Sequence, residues 1–430
     1  MRKTSLNRLD FLKLGSAAIS ALPLISAGEL AGKDDKSAAQ AAKRSPDNPA
    51  RKKYPAGRAH QEHLGWHTVE ESGSEMGQLT GSPLIHENIY PEAPVFTPDS
   101  RFFVYARRSS ADRPREYWLC ETGSWRLFPL TDETPVSGPV VSPDGEYLYY
   151  VWSRESGESV LVRKNLWSGE REELIVADGL KRIYALGTMS PDGRYYATAA
   201  RLPDRSTGII RFDTVERSWK TIHSRIDIFN AHPQWDPGQR RDIMIQHNRG
   251  GSLNEFGEFA PMVGPEGATL YLIDYKGDNV RPLHVGKPYT PSVQGHECWL
   301  GRTGKMLVTL TDDVEFGGKK GNLVALEDGK DPVIVAGGLY FWHVSSSPDG
   351  KYFVCDDTSG NIYIGLSATG QYRRLCQSET ILGAQQYTHT HPFISPDCRY
   401  VFFNSTRTGI PQIYAASVPE EFLDSLGRVE

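Results

Sequence analysis

A short turn phrase, Ser-Pro-Asp-Gly or a variant of it, recurs seven times in this chain, and most copies run straight into a strand-like stretch. The clear copies are Thr97-Pro98-Asp99-Ser100, Ser142-Pro143-Asp144-Gly145, Ser190-Pro191-Asp192-Gly193, Ser347-Pro348-Asp349-Gly350 and Ser395-Pro396-Asp397-Cys398. Asp236-Pro237-Gly238 is looser, and Arg302-Thr303-Gly304-Lys305 looser still. The physics is local. Proline presets φ at the first turn position, aspartate bonds its own backbone, and glycine accepts positive φ. Runs such as Tyr147-Leu148-Tyr149-Tyr150-Val151 and Tyr400-Val401-Phe402-Phe403 then supply the bulk that fills a sheet interior.

The turn prolines 98, 143, 191 and 237 are 45, 48 and 46 residues apart; Thr303 to Pro348 is 45, and Pro348 to Pro396 is 48. A period in the middle forties is that of one four-stranded propeller blade. The expectation is an all-β chain folded as a seven-bladed β-propeller. The one long gap, 66 residues between Pro237 and Thr303, holds a Gly-rich stretch at Gly250 to Gly267 that reads as a long loop. A single propeller spanning 59–425 also accounts for the length, since 430 residues exceed one ordinary core.

The first residues read differently. Arg2, Lys3 and Arg8 precede a short apolar stretch, Leu14 to Ile25, with small residues at Ser26 and Ala27. This pattern predicts an export signal over 1–27 and a periplasmic destination, without a stable membrane anchor. The segment Asn7-Arg8-Leu9-Asp10-Phe11-Leu12-Lys13 is a degenerate twin-arginine motif, with Leu9 in place of the second arginine. Residues 28–58, rich in Ala, Lys, Asp and Ser, read as a disordered linker. The five cysteines form no Cys-x-x-Cys pair, so they read as small core residues rather than a zinc site. A net charge of -5 without a long basic run argues against nucleic acid.

Many functions share this fold, so function has to come from side chains that reach the central channel. Gln386-Tyr387-Thr388-His389-Thr390-His391-Pro392 precedes the last turn. Two histidines two apart on an extended segment face one way, and with the amide oxygen of Gln386 they suit a divalent metal. His343, His391 and His232 each lie five residues before the turn proline of their repeat, and His296 lies seven before Thr303. One blade position thus carries a histidine several times over. Singly, each reads as a satisfied core histidine, and the His-x-His pair as hydrogen-bonded surface residues; repetition at one blade position weakens that reading. No Gly-x-Ser-x-Gly elbow, paired carboxylates or phosphate loop stands out. Asp312-Asp313 and Asp356-Asp357 read as turn or strand-end residues.

The Gln-x-x-His-x-His block, His296-Glu297-Cys298-Trp299, and the ending Asn404-Ser405-Thr406-Arg407 through Gln412-Ile413-Tyr414 resemble the oligogalacturonate lyases of polysaccharide lyase family 22. The likeness runs from about Ser74 to Phe422 and includes His86-Glu87-Asn88, similar to a family His-Arg-Asn motif. The blade turns alone are shared with many TolB-like propellers. The resemblance implies a manganese-dependent lyase acting on an acidic oligosaccharide, with His343, Gln386, His389 and His391 as metal ligands and His296 as catalytic histidine. It implies an arginine where this chain has Thr269, which leaves Arg249 as the nearest catalytic cation. His247, His232 and His86 are the candidate substrate contacts. Export is a second departure, since these lyases are typically cytoplasmic.

The chemistry agrees with that set. The C5 proton of a uronic acid is weakly acidic, a metal on the C6 carboxylate stabilises the charge left behind, and histidine suits the role of base. Three imidazoles and an amide accept manganese, iron, nickel or zinc alike. A non-catalytic periplasmic propeller that binds a glycan or a protein is the alternative, and a metal enzyme of other chemistry is a third.

Overall fold

The structure is a computed structural model describing residues 53–427, apart from 181, 239–241, 253, 255–259 and 384. Seven antiparallel sheets, five of four strands and two of five, form the seven blades among the described residues. The expected seven-bladed β-propeller is the fold. The innermost strands of blades one to seven are Ile85–Asn88, Val136–Val141, Arg182–Met189, Gln234–Trp235, Val293–Trp299, Phe341–Ser346 and Phe393–Ile394.

The recurring turn joins the innermost strand of a blade to its second strand. In blade two the Ser142 Oγ donates to Asp144 Oδ1 at 2.5 Å and accepts the Tyr147 N–H at 2.9 Å, while the Gly145 N–H bonds the Ser142 carbonyl. The same Ser/Thr-to-Asp bond recurs at Thr97, Ser190, Ser347 and Ser395. The fourth turn residue is left-handed in each of these five copies: Ser100, Gly145, Gly193, Gly350 and Cys398 have φ between 58° and 72°. Four cysteines are buried and free; Cys398 is half-buried in this turn.

Ring closure uses both ends of the chain. In blade seven the inner strands Phe393–Ile394, Tyr400–Ser405 and Gln412–Ser417 are completed outward by Ser74–Gln78 and Leu64–Val69. Met76 pairs with Ala416 and Gln78 with Tyr414. The repeat spacing did not reveal this, because the two N-terminal strands carry no turn phrase. Apolar layers between blades hold the ring together. Phe103 of blade one and Phe402 of blade seven, both fully buried, have ring centroids 4.3 Å apart; burial of each such side chain stabilises by roughly 1.5–3 kcal/mol. A short helix, Glu420–Leu426, buries Phe422 and Leu426 against the blade six and seven layer.

The long loop expected near residues 250–267 is found between the second and third strands of blade four, Asp242–Asn248 and Ala268–Asp274. The export signal over 1–27 and most of the linker over 28–58 lie outside the described residues. The linker's last residues pack on the propeller: Lys53 pairs with Glu146 at 2.6 Å, and Arg101 and Arg126 lie over the Tyr54 ring. Among the described residues no helix is long and apolar enough to cross a membrane.

Candidate metal centre

The innermost strands bring three histidines from blades six and seven together. His343, His389 and His391 are all buried, and one nitrogen of each lies within 4.8 Å of the others. His343 sits on Phe341–Ser346, whose register breaks between Phe341 and Val344. That irregularity turns the ring toward the channel. His389 and His391 come from the segment between a one-turn 3-10 helix, Gln386–Thr388, and the two-residue strand Phe393–Ile394.

Each ring is aimed by its other nitrogen or by its backbone. His343 Nδ1 lies 2.9 and 3.0 Å from the two oxygens of Asp356, whose Oδ1 also accepts the His343 N–H at 2.7 Å. Asp356 can only accept here, so Nδ1 carries the hydrogen and Nε2 the lone pair; Nε2 is buried without a hydrogen-bond partner. His389 donates Nε2–H to the Gly383 carbonyl at 3.0 Å, which leaves Nδ1 as the lone-pair nitrogen. His391 has a left-handed backbone, φ 44°, a costly conformation for a residue with a Cβ. Two asparagines hold it there. Asn404 Nδ2 donates to the His389 carbonyl at 3.0 Å and its N–H to the Thr390 carbonyl. Asn88 Nδ2 donates to the His391 carbonyl at 3.3 Å, and its N–H bonds Asn404 Oδ1. Burial, reinforced by the neighbouring His343, His389 and His232 rings, pushes the His391 imidazole well below its ordinary range. A neutral imidazole is the form that binds metal.

These observations fit a divalent ion. Three nitrogens converge, the opposite nitrogens of two rings are already bonded, and the Nε2 atoms of His343 and His391 are buried without other partners. Gln386 is exposed on the 3-10 turn, three residues before His389.

The cluster extends beyond the triad. His296, on Val293–Trp299, has its ring 4.3 Å from that of His343. His232 Nδ1 lies 2.6 Å from Glu92 Oε1 and 3.9 Å from Glu297 Oε1, and like His391 the residue is left-handed, φ 41°. Tyr90 links them. Its ring lies 5.1 Å from His232, 4.7 Å from His391 and 6.0 Å from His296. Trp342 borders the site, 4.3 Å from the His343 ring and 4.7 Å from that of His389.

Three residues expected at the site from sequence are engaged elsewhere. Arg249 gives its guanidinium to three backbone carbonyls, those of Gly267, Lys287 and Glu266, at 2.6–3.0 Å. It ties the long loop of blade four to the segment that follows Val285, with each of its three nitrogens donating to a carbonyl. Thr269 likewise closes a loop, donating to the Val285 carbonyl. His247 bonds Asp227 at 2.6 Å and packs on Tyr271. His86 is fully buried against Tyr105 and bonded to Ser82, with its imidazole lowered to about 4 by burial, which outweighs the opposing Glu62.

Sequence reasoning missed Tyr90, Glu92, Trp342 and Asp356. Asp357 is the strand-end residue expected, bonding the Ser359 and Asn361 N–H groups. Asp356 belongs to the opposite face of the same strand, fully buried. The strict alternation of a strand separates neighbours in this way, and a carboxylate on the buried face was the signal available.

An oligogalacturonide lyase of Pectobacterium atrosepticum is 23% identical over 415 residues, covering 83% of this chain and 97% of that protein. The oligogalacturonate lyase of Dickeya dadantii is 22% identical over the same coverage. Two solved structures, an oligogalacturonate lyase in complex with manganese and an oligogalacturonate lyase from Vibrio parahaemolyticus, superpose with TM-scores of 0.68 and 0.64. The chain resembles the oligogalacturonate lyases. That resemblance spans the propeller: both structures are covered along their full length by 85% of this chain, at 18% and 19% identity. No family model matches the chain.

Proposed function

We propose that this protein is an exported, metal-dependent lyase that cleaves uronic-acid oligosaccharides of the oligogalacturonate type by β-elimination. The buried triad His343, His389 and His391 carries the reading. Its nitrogens converge, and Asp356 and Gly383 orient two of its rings. Manganese is the ion chosen, because a similar propeller holds it, and Gln386 is the fourth ligand from this chain. When bound, the ion stabilises negative charge that builds on the substrate carboxylate.

The remaining roles fall to the chain's own groups. His296 removes the C5 proton. The C5–H electron pair becomes the C4–C5 double bond, and the C4–O4 bond breaks with its pair on oxygen, which then takes up a proton. Trp342 supplies an apolar wall beside the metal ligands. Arg108, its guanidinium 4.6 Å over the Tyr387 ring and 3.3 Å from Glu87, is a cation beside the metal loop for a second uronate carboxylate. The basic and apolar N-terminal stretch supports export, with the periplasm as destination.

The test is a lyase assay on the mature chain with oligogalacturonate and manganese, reading the ultraviolet absorbance of the unsaturated product. Rising absorbance that a chelator abolishes is the expected result. A bound ion without product would move the chemistry elsewhere. Neither product nor ion would leave a glycan- or protein-binding propeller.

A further inference from the structure

Tyr90 follows the innermost strand of blade one and reaches across to the histidines of blades four to seven. Its hydroxyl makes two bonds. It donates to the Gly295 carbonyl at 3.1 Å, and it is bonded to His296 Nδ1. A phenol has one proton, and a carbonyl can only accept. With that proton on Gly295, the phenol oxygen is the acceptor in the bond to His296, so Nδ1 carries the imidazole hydrogen. In the neutral ring Nε2 then holds the lone pair. Gly295 contributes to this geometry. It is left-handed, φ 84°, at the register break between Val293 and Glu297 that turns its carbonyl and the His296 ring toward the channel.

We propose that Tyr90 is a positioning residue that holds His296 in the Nδ1–H tautomer and so makes Nε2 the atom that takes the proton from substrate. This rests on the elimination reading above. The tautomer matters because a ring with hydrogen on Nε2 presents a donor where the reaction needs an acceptor. The ring of Tyr90, packed among His232, His296 and His391, keeps the phenol oxygen in register with Nδ1.

Tyr90→Phe keeps those ring contacts and removes only the oxygen. The expected result is unchanged manganese content and KM, with kcat lower by roughly tenfold to 100-fold. A second readout needs no turnover. Long-range proton–nitrogen NMR of histidine-labelled protein, with His296 assigned by its absence in His296→Gln, should show the Nδ1–H tautomer in the parent. It should show the Nε2–H form, or a mixture, in Tyr90→Phe. The same tautomer in both proteins overturns the proposal, as does a loss confined to KM or to metal content. If the parent chain makes no unsaturated product, the elimination reading falls, and the NMR comparison still decides whether Tyr90 sets the tautomer.

Discussion

The innermost strands of blades two and three read Val136-Ser137-Gly138-Pro139-Val140-Val141 and Arg182 to Met189; those of blades five and six read Val293 to Trp299 and Phe341 to Ser346. All four hold the same place in the ring. In the first pair, glycine does the work of closure. Tyr196 donates its hydroxyl to the Gly138 carbonyl at 2.6 Å, and a Cβ on Gly187 would fall 2.5 Å from that same carbonyl oxygen. The two strands approach so closely that side chains are excluded. All four strands break register, between Ser137 and Val140, Ile183 and Gly187, Val293 and Glu297, and Phe341 and Val344, and in the second pair buried imidazoles stand at the break. The same irregularity is sealed by backbone contact in one half of the ring and carries imidazoles in the other. The repeat therefore specifies the blade, while the side chains carried at the break specify chemistry.

The largest effect should come from breaking the half that carries imidazoles. His389→Ala removes one nitrogen of the triad and is expected to abolish manganese binding and lower lyase activity on the order of 1,000-fold, about 4 kcal/mol of transition-state stabilisation. Metal analysis and the absorbance assay check it, with circular dichroism to show that the propeller persists. Retention of both ion and activity would remove the triad from the mechanism. The complementary break is in the sealed half. Gly138→Ala places a Cβ 2.3 Å from the Tyr196 hydroxyl on a left-handed backbone, φ 62°. Urea unfolding should show a loss of roughly 3 kcal/mol, while the folded protein keeps its metal affinity. A variant as stable as the parent would mean that close approach does not seal these blades.

How much of this was legible follows from the same contrast. The turn phrase repeats because its physics is local, so seven copies disclosed seven blades. His232, His343 and His391 could be ranked together because a fixed offset from the turn is a fixed place in the blade, and His296 lies two residues off that offset. His343 and His391 converge with His389, which the His-x-His spacing singled out. Arg249, His247 and His86 were candidates through the family resemblance and not through a blade offset, and nothing local revealed that three carbonyls, Asp227, or a buried pocket beside Tyr105 would engage them. Tyr90 and Glu92 were invisible for the converse reason. They lie on an irregular crossing after Ile85–Asn88, and only ring closure brings blade one against blade seven.

The finest test concerns a single hydrogen atom. Asp356 accepts both the backbone N–H and the Nδ1–H of His343, and neither Asp356 nor His343 is exposed. Asp356→Asn preserves shape and can still accept the backbone N–H through its amide oxygen. Its NH2 group then faces Nδ1 and can only donate, which favours the tautomer with hydrogen on Nε2. That hydrogen points into the triad, where a ligand lone pair is needed. Manganese affinity measured by titration calorimetry should fall about tenfold to 100-fold, less than for His389→Ala, because the ring can be driven back at an energetic cost when the ion binds. The sealed half of the ring should not respond, so urea stability measured without metal should change much less than in Gly138→Ala. Unchanged affinity would show that backbone geometry alone aims His343. An equal loss of stability and affinity would show that Asp356 holds the blade rather than the ligand, and the division between a structural half and a chemical half would fail at that residue.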